Sequence, residues 1–172
     1  MFAILKKMIW KILFYHESPD YWWKLRNIAN KNKIASSIGL LLYNSLINRY
    51  NSFIPLSVEF LNKPCFPHGI RGIFISGGAK IGSNCVIFHH VTIGSNTLVD
   101  SKKAGAPTVG NNVYIGCGAK IIGNVKIGNN VRIGANCVVC EDIPDNSTVV
   151  LEKCRIIAKK NKQNNTFVEF KF

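Results

Sequence analysis

Four histidines, His16, His68, His89 and His90, are the side chains in this sequence best suited to moving protons near neutral pH. Two of them hold the same place against an apolar beat: His68 lies two residues after Phe66, and His89 lies two residues after Ile87. An unperturbed imidazole titrates at about 6.5, so it can accept a proton from a hydroxyl and release it later in the same cycle. Cysteine offers a different chemistry. The chain has six cysteines, none in a CxxC zinc spacing, and Cys85 and Cys137 fall on inward slots of the pattern described next. They read as small hydrophobes, and the absence of a secretory pattern favours reduced thiols over disulfides.

The histidines are placed by a repeat. Isoleucine or valine recurs every six residues at Ile75, Ile81, Ile87 and Ile93, then at Val109, Ile115, Ile121, Ile127, Ile133 and Val139. Two residues before most of these stands a small or β-branched residue, such as Ala79, Val91, Val113, Ala119 or Val131. Glycine often follows, and asparagine crowds the remaining slots. Alternate apolar residues point inward from a short strand, and Gly and Asn suit the corners because they tolerate positive φ. A six-residue register held through ten positions predicts a parallel β-helix rather than a sandwich of ordinary alternating strands. Its coils should stack at a spacing of about 4.8 Å. From Phe66 to Ile87 the beat counts three repeats with about three extra residues, which predicts His68 and His89 on one corner, one coil apart. A second interruption, between Ile93 and Val109, has no apolar beat and should loop outward.

Three segments carry a resemblance to the left-handed β-helix acyltransferase superfamily. They are Phe66-Pro67-His68-Gly69-Ile70-Arg71-Gly72-Ile73, Val91-Thr92-Ile93-Gly94, and Val113 through Asn124. Within it the chain is most similar to serine O-acetyltransferases and the related capsule and sugar O-acetyltransferases, over about residues 55–157. The resemblance implies an all-β main domain, a left-handed parallel β-helix, after a short N-terminal helical segment. It divides the chain into residues 1–54 (helical), 55–157 (β-helix) and 158–172 (tail).

The resemblance also implies chemistry. An acetyl group would pass from acetyl-CoA to a hydroxyl, with His68 as general base, His89 as a further polar contact, and Glu59 as the nearest upstream acid to orient His68. The acyl-CoA groove would lie between adjacent subunits of a homotrimer. Its pantetheine arm would run past small corner residues, here Cys117 and Ala135, each following a glycine, Gly116 and Gly134. Of a Gly-x-Pro-Ala-Arg-like segment near the end of the β-helix only Arg155 survives. No metal is expected, because a zinc site of the carbonic-anhydrase kind on this fold needs three converging histidines, and none follows residue 90.

The acceptor is where the sequence departs from the family. Serine acetyltransferases have a much longer helical region before the β-helix and a second histidine after the loop, at the place of Ala106. Both departures point to a sugar or surface-polysaccharide hydroxyl, with serine as the alternative. A non-enzymatic trimeric scaffold is the reading from another class.

Charge and chain ends bound the partners. Net charge is +13, from 22 basic and 9 acidic residues. That balance suits CoA, a nucleotide-linked sugar, an acidic polysaccharide or a lipid surface. Nucleic acid is not expected, since no nucleic-acid module accompanies the charge. Lys6, Lys7 and Lys11 interrupt the apolar run of residues 1–15, which is too short and too charged to span a bilayer. It reads as a helix packed on its own subunit or a trimer mate, with peripheral membrane contact as the alternative. A cytosolic protein is expected, one that at most touches the inner face of the membrane.

Overall fold

A two-residue strand has too few hydrogen bonds to stand alone, so a repeat of such strands is stable only when stacked. A computed structural model of the chain describes residues 20–30, 33–153, 156–160 and 162–164. Among them are twelve strands, numbered here in chain order, in three four-stranded parallel sheets. One holds β2 (Phe74–Ile75), β5 (Thr92–Gly94), β8 (Lys120–Ile122) and β11 (Val138–Val139). The next holds β1 (Glu59–Phe60), β3 (Lys80–Ile81), β6 (Thr108–Val109) and β9 (Lys126–Ile127). The last holds β4 (Val86–Ile87), β7 (Tyr114–Ile115), β10 (Arg132–Ile133) and β12 (Thr148–Val149). Consecutive strands belong to different sheets, so the chain winds as a parallel β-helix, as the six-residue beat predicts.

The beat residues form the core. Ile87, Ile115 and Ile133 stack in register, each 0% exposed. Cys85 and Cys137 occupy inward slots and are buried. Burial pushes the Cys85 thiol above its ordinary pKa, because an apolar site disfavours the thiolate.

Asparagine turns the corners. Asn84, Asn112, Asn130 and Asn146 all lie in the left-handed region, with φ of 54° to 59°. Their amides form a ladder up the helix: Asn84 donates to Asn112 at 2.8 Å, Asn112 to Asn130 at 2.9 Å and Asn130 to Asn146 at 3.0 Å. Each amide thus satisfies the next while its backbone takes a conformation most residues resist.

The chain's helical part precedes the coils: α1 (Tyr21–Ala29) and α2 (Lys33–Arg49). Trp22, Leu25 and Ala29 of α1 and Tyr43, Leu46 and Ile47 of α2 join the same buried core as the first coil. Trp22 lies edge-on to Phe66, with ring centroids 5.0 Å apart, two residues from His68. Arg26 is almost fully buried and donates to the carbonyls of Pro55, Leu56 and Val58 at 2.9, 2.8 and 2.6 Å. Its guanidinium also lies over the Phe60 ring. A buried cation with its donors paired to carbonyls in this way pins α1 to the coil. Sheet pairing begins at Phe53, which bridges to Phe74.

Among the described residues, no helix is long and apolar enough to cross a membrane. The run at residues 1–15 lies outside the described residues, as does much of the tail.

Candidate functional site

The corner after β4 and β7 collects the candidate residues. The Gly118 N–H donates to the His89 carbonyl at 3.1 Å, and the Asn136 N–H donates to the Cys117 carbonyl at 2.8 Å. In the coil below, the His90 N–H donates to the Arg71 carbonyl at 3.0 Å. Arg71, His89, Cys117 and Ala135 therefore form one column, one residue per coil. Beside it runs a second column, Gly72, His90, Gly118 and Asn136, all at positive φ. His90 takes the corner position that asparagine or glycine fills elsewhere. Its ring lies where a Cβ on residue 72 would collide with Nδ1, so glycine is required there.

His68 is not itself a stacked residue. The extra residues between Phe66 and the next coil form a bulge, closed by the Gly69 N–H donating to the Phe66 carbonyl at 3.0 Å. The register passes to Arg71, and His68 rides on the bulge. Its ring nevertheless meets that of His89, with centroids 4.8 Å apart and Nδ1 to Nδ1 at 2.8 Å. The sequence expectation of two imidazoles on one corner about 5 Å apart agrees with this geometry, but a side-chain bond across a bulge produces it, not strict stacking. His68 is exposed, and His89 is half-buried, its ring near those of both His68 and His90.

Two aromatic residues complete the site, and the sequence reading did not single them out. The Phe88 ring stands perpendicular to that of His68 at 5.3 Å, and Tyr114 lies 5.1 Å from Phe88. Extending the register by one step finds Tyr114, because Val86 pairs with Tyr114 across β4 and β7.

The other named residues divide. Glu59 is not brought to the histidines: it sits on β1, in a different sheet, with its carboxylate 3.3 Å from Lys80 Nζ. The structure thus supplies no acid from that position to orient His68. Gly116 and Gly134 face each other in adjacent coils, and a Cβ on Gly116 would come within 2.7 Å of the Ala135 nitrogen. Coils in such close contact leave a smooth wall beside Cys117, which is half-buried, and Ala135, which is exposed. Arg155 lies outside the described residues. Among the described residues no cluster of three or more histidine, cysteine or acidic side chains is placed to hold a metal.

The loop between β5 and β6 leaves the helix, as the lost beat predicts, and is closed by an antiparallel bridge between Asn96 and Gly105. Lys103 does not reach freely into solvent: its Nζ sits 2.8 Å from Asp142. That ion pair, first, and a hydrogen bond from the Lys126 N–H hold the Asp142 carboxyl below its ordinary pKa.

Residues 106–141 match the family model for the bacterial transferase hexapeptide, six repeats. In a solved structure, serine acetyltransferase isoform 3 of Entamoeba histolytica in complex with cysteine, 52% of that chain superposes on 85% of this one. The TM-score is 0.69 at 27% identity. The fold is a left-handed parallel β-helix built of hexapeptide coils. Its hand departs from the usual right-handed crossover. The hexapeptide coils are also similar to soybean serine acetyltransferase complexed with serine, with a TM-score of 0.59 at 29% identity, over 77% of this chain and 53% of that one. Serine acetyltransferase of Helicobacter pylori is 41% identical over 92 residues, 54% of this chain and 52% of the relative. The hexapeptide chain thus spans about half the length of the curated relatives it matches. The resemblance to left-handed β-helix acyltransferases, and within them to the serine O-acetyltransferases, is borne out.

Proposed function

We propose that this chain transfers an acetyl group from acetyl-CoA to the hydroxyl of serine or a closely similar small acceptor, with His68 as general base. The observation that carries this reading is the paired His68 and His89 at the foot of the column that continues through Cys117 and Ala135. The relatives favour serine over the sugar hydroxyl expected from the short helical region.

The reaction needs two things from one surface. A base must take the hydroxyl proton as the oxygen attacks the thioester carbonyl, and a narrow path must bring the thioester to that base. In this reading the acceptor hydroxyl gives its proton to His68 Nε2 while its oxygen bonds to the acetyl carbon. The tetrahedral oxyanion collapses, the carbon–sulfur bond breaks, and the proton on His68 passes to the departing thiolate to give free CoA. The oxyanion needs donors, and backbone N–H groups at the corner are suitable ones. The pantetheine arm lies against Cys117 and Ala135, where small side chains leave room.

Residues 55–157 act as the transferring unit, after helices in 1–54 and before a tail from 158. A homotrimer supplies the groove's second wall, and sedimentation as a stable 19.2 kDa monomer under assay conditions speaks against it.

A sugar hydroxyl is the second reading. Ala106 stands where the resembling serine enzymes have a histidine, and the Phe88–Tyr114 wall beside His68 suits the apolar face of a sugar ring. Release of CoA from acetyl-CoA, measured with serine and with a glycan panel, tests both. Turnover with serine supports the first reading. Turnover with a glycan alone replaces it, and no turnover with either removes both.

A further inference from the structure

We infer that His89 is a positioning residue that fixes the tautomer of His68, in place of the carboxylate that usually orients a catalytic imidazole. The inference rests on the reading of His68 as base. It starts from a bond that constrains both rings. His68 Nδ1 and His89 Nδ1 lie 2.8 Å apart, a hydrogen-bond distance that requires one nitrogen to carry the proton and the other to be bare. In a neutral imidazole the second ring nitrogen holds the opposite state. The bridge therefore forces complementary tautomers: one ring presents a bare Nε2 and the other an Nε2–H.

Exposure selects which ring is which. A base must reach the acceptor, and His68 is the exposed member, on its bulge. His89 is half-buried, with the His68 ring at 4.8 Å, the His90 ring at 5.3 Å and Cys117 in the coil above. Arg71, in the coil below, directs its guanidinium over the Tyr50 ring instead, at 5.4 Å. So His68 donates from Nδ1, His89 accepts at Nδ1, and the bare Nε2 belongs to His68. When His68 takes the acceptor proton, its Nδ1–H bond to His89 becomes charge-assisted and stabilises the imidazolium. A carboxylate performs the same service in a triad. Among the described residues no carboxylate is bonded to His68: Pro67 precedes it, and Glu59 is paired with Lys80 on another sheet. Phe88 also packs on the His68 ring, at 5.3 Å and nearly perpendicular, so the bridge to His89 settles the ring's remaining freedom.

The test is nitrogen NMR of the full chain labelled with 15N-histidine, with signals assigned through single histidine substitutions. The expected spectrum has His68 protonated on Nδ1 and bare on Nε2, and His89 bare on Nδ1. His89→Ala should convert His68 to a mixture of tautomers. It should also lower kcat on the order of 10²-fold, the scale of a small misplacement of a reacting group, with KM for acetyl-CoA unchanged. His89→Asn places a carbonyl oxygen where Nδ1 stood, so it should restore the single tautomer and most of kcat. A His68 protonated on Nε2, a His68 tautomer indifferent to His89→Ala, or an asparagine that restores neither property overturns the inference. Because the tautomers are read in the resting protein, this failure is distinct from failure of His68 as base, which shows as normal turnover by His68→Ala.

Discussion

The backbone N–H of Gly118 donates to the carbonyl of His89 at 3.1 Å, setting Cys117 directly above His89 in the next coil. That bond joins the two halves of the proposed site, the imidazoles below and the small corner residues above. Any ligand running down the column toward His89 must pass Ala135 and then Cys117.

Ala135→Trp should therefore block acetyl-CoA without unfolding the chain, because Ala135 is exposed and its side chain leaves the corner outward. Calorimetric titration with acetyl-CoA should show binding lost, while the circular dichroism melt stays near that of the unsubstituted protein. Normal binding by this variant would remove Ala135 from the path.

The thiols divide by burial. Cys65 and Cys140 are exposed, whereas Cys85 and Cys137 are 1% and 2% exposed. The raised Cys85 pKa further lowers its thiolate fraction. A thiol reagent applied to the native protein should modify Cys65 and Cys140 quickly and spare Cys85 and Cys137 until denaturant is added, as peptide mass mapping can show. Rapid native labelling of Cys85 or Cys137 contradicts the observed register.

Much of this was legible in the sequence, and the reason is periodicity. Ile87, Ile115 and Ile133 announce themselves because a β-helix repeats one environment along the chain, so a six-residue beat maps directly onto an inward column. What the beat could not place is whatever leaves it. His68 sits on an insertion, where the count carries no phase information, and only the structure shows Arg71 taking the stacked position beneath His89. Glu59 is near His68 in sequence only, because in a coil neighbouring residues lie on different faces, and its partner is Lys80. Phe88 was hidden for a related reason: an outward aromatic beside a beat residue looks like surface until the next coil brings Tyr114 against it.

The core should be sensitive to truncation, and so should the buried Arg26 that pins α1 to the coil. Ile115→Ala, at a fully buried position, should cost about 2–5 kcal/mol, the usual range for emptying such a site. Arg26→Met removes a buried cation bound to three carbonyls and should cost at least about 2 kcal/mol through their lost partners. Urea melts give both values. A neutral Arg26→Met shows that α1 is held by its apolar face alone.

Acid should release the loop between β5 and β6. The Asp142 pKa is lowered in the folded chain, first by Lys103. Its contribution is therefore present above the ordinary carboxylate pKa and is lost as pH falls through the lowered value. Hydrogen exchange of residues 96–105 should quicken over that acidic window, and Asp142→Asn should show the quickened rate already at neutral pH. Equal exchange in the two proteins at neutral pH means that the Asn96–Gly105 bridge closes the loop without help from the ion pair.

His68 as the base of an acetyl transfer has one direct test. It is turnover of acetyl-CoA by His68→Ala with serine as acceptor, alongside the affinity of the variant for acetyl-CoA. The expected result is a fall of about 10² or more in kcat, the typical contribution of a general base, with acetyl-CoA affinity near that of the unsubstituted chain. Near-normal turnover by His68→Ala together with an inactive His90→Ala would contradict it and move the base to the His89–His90 corner.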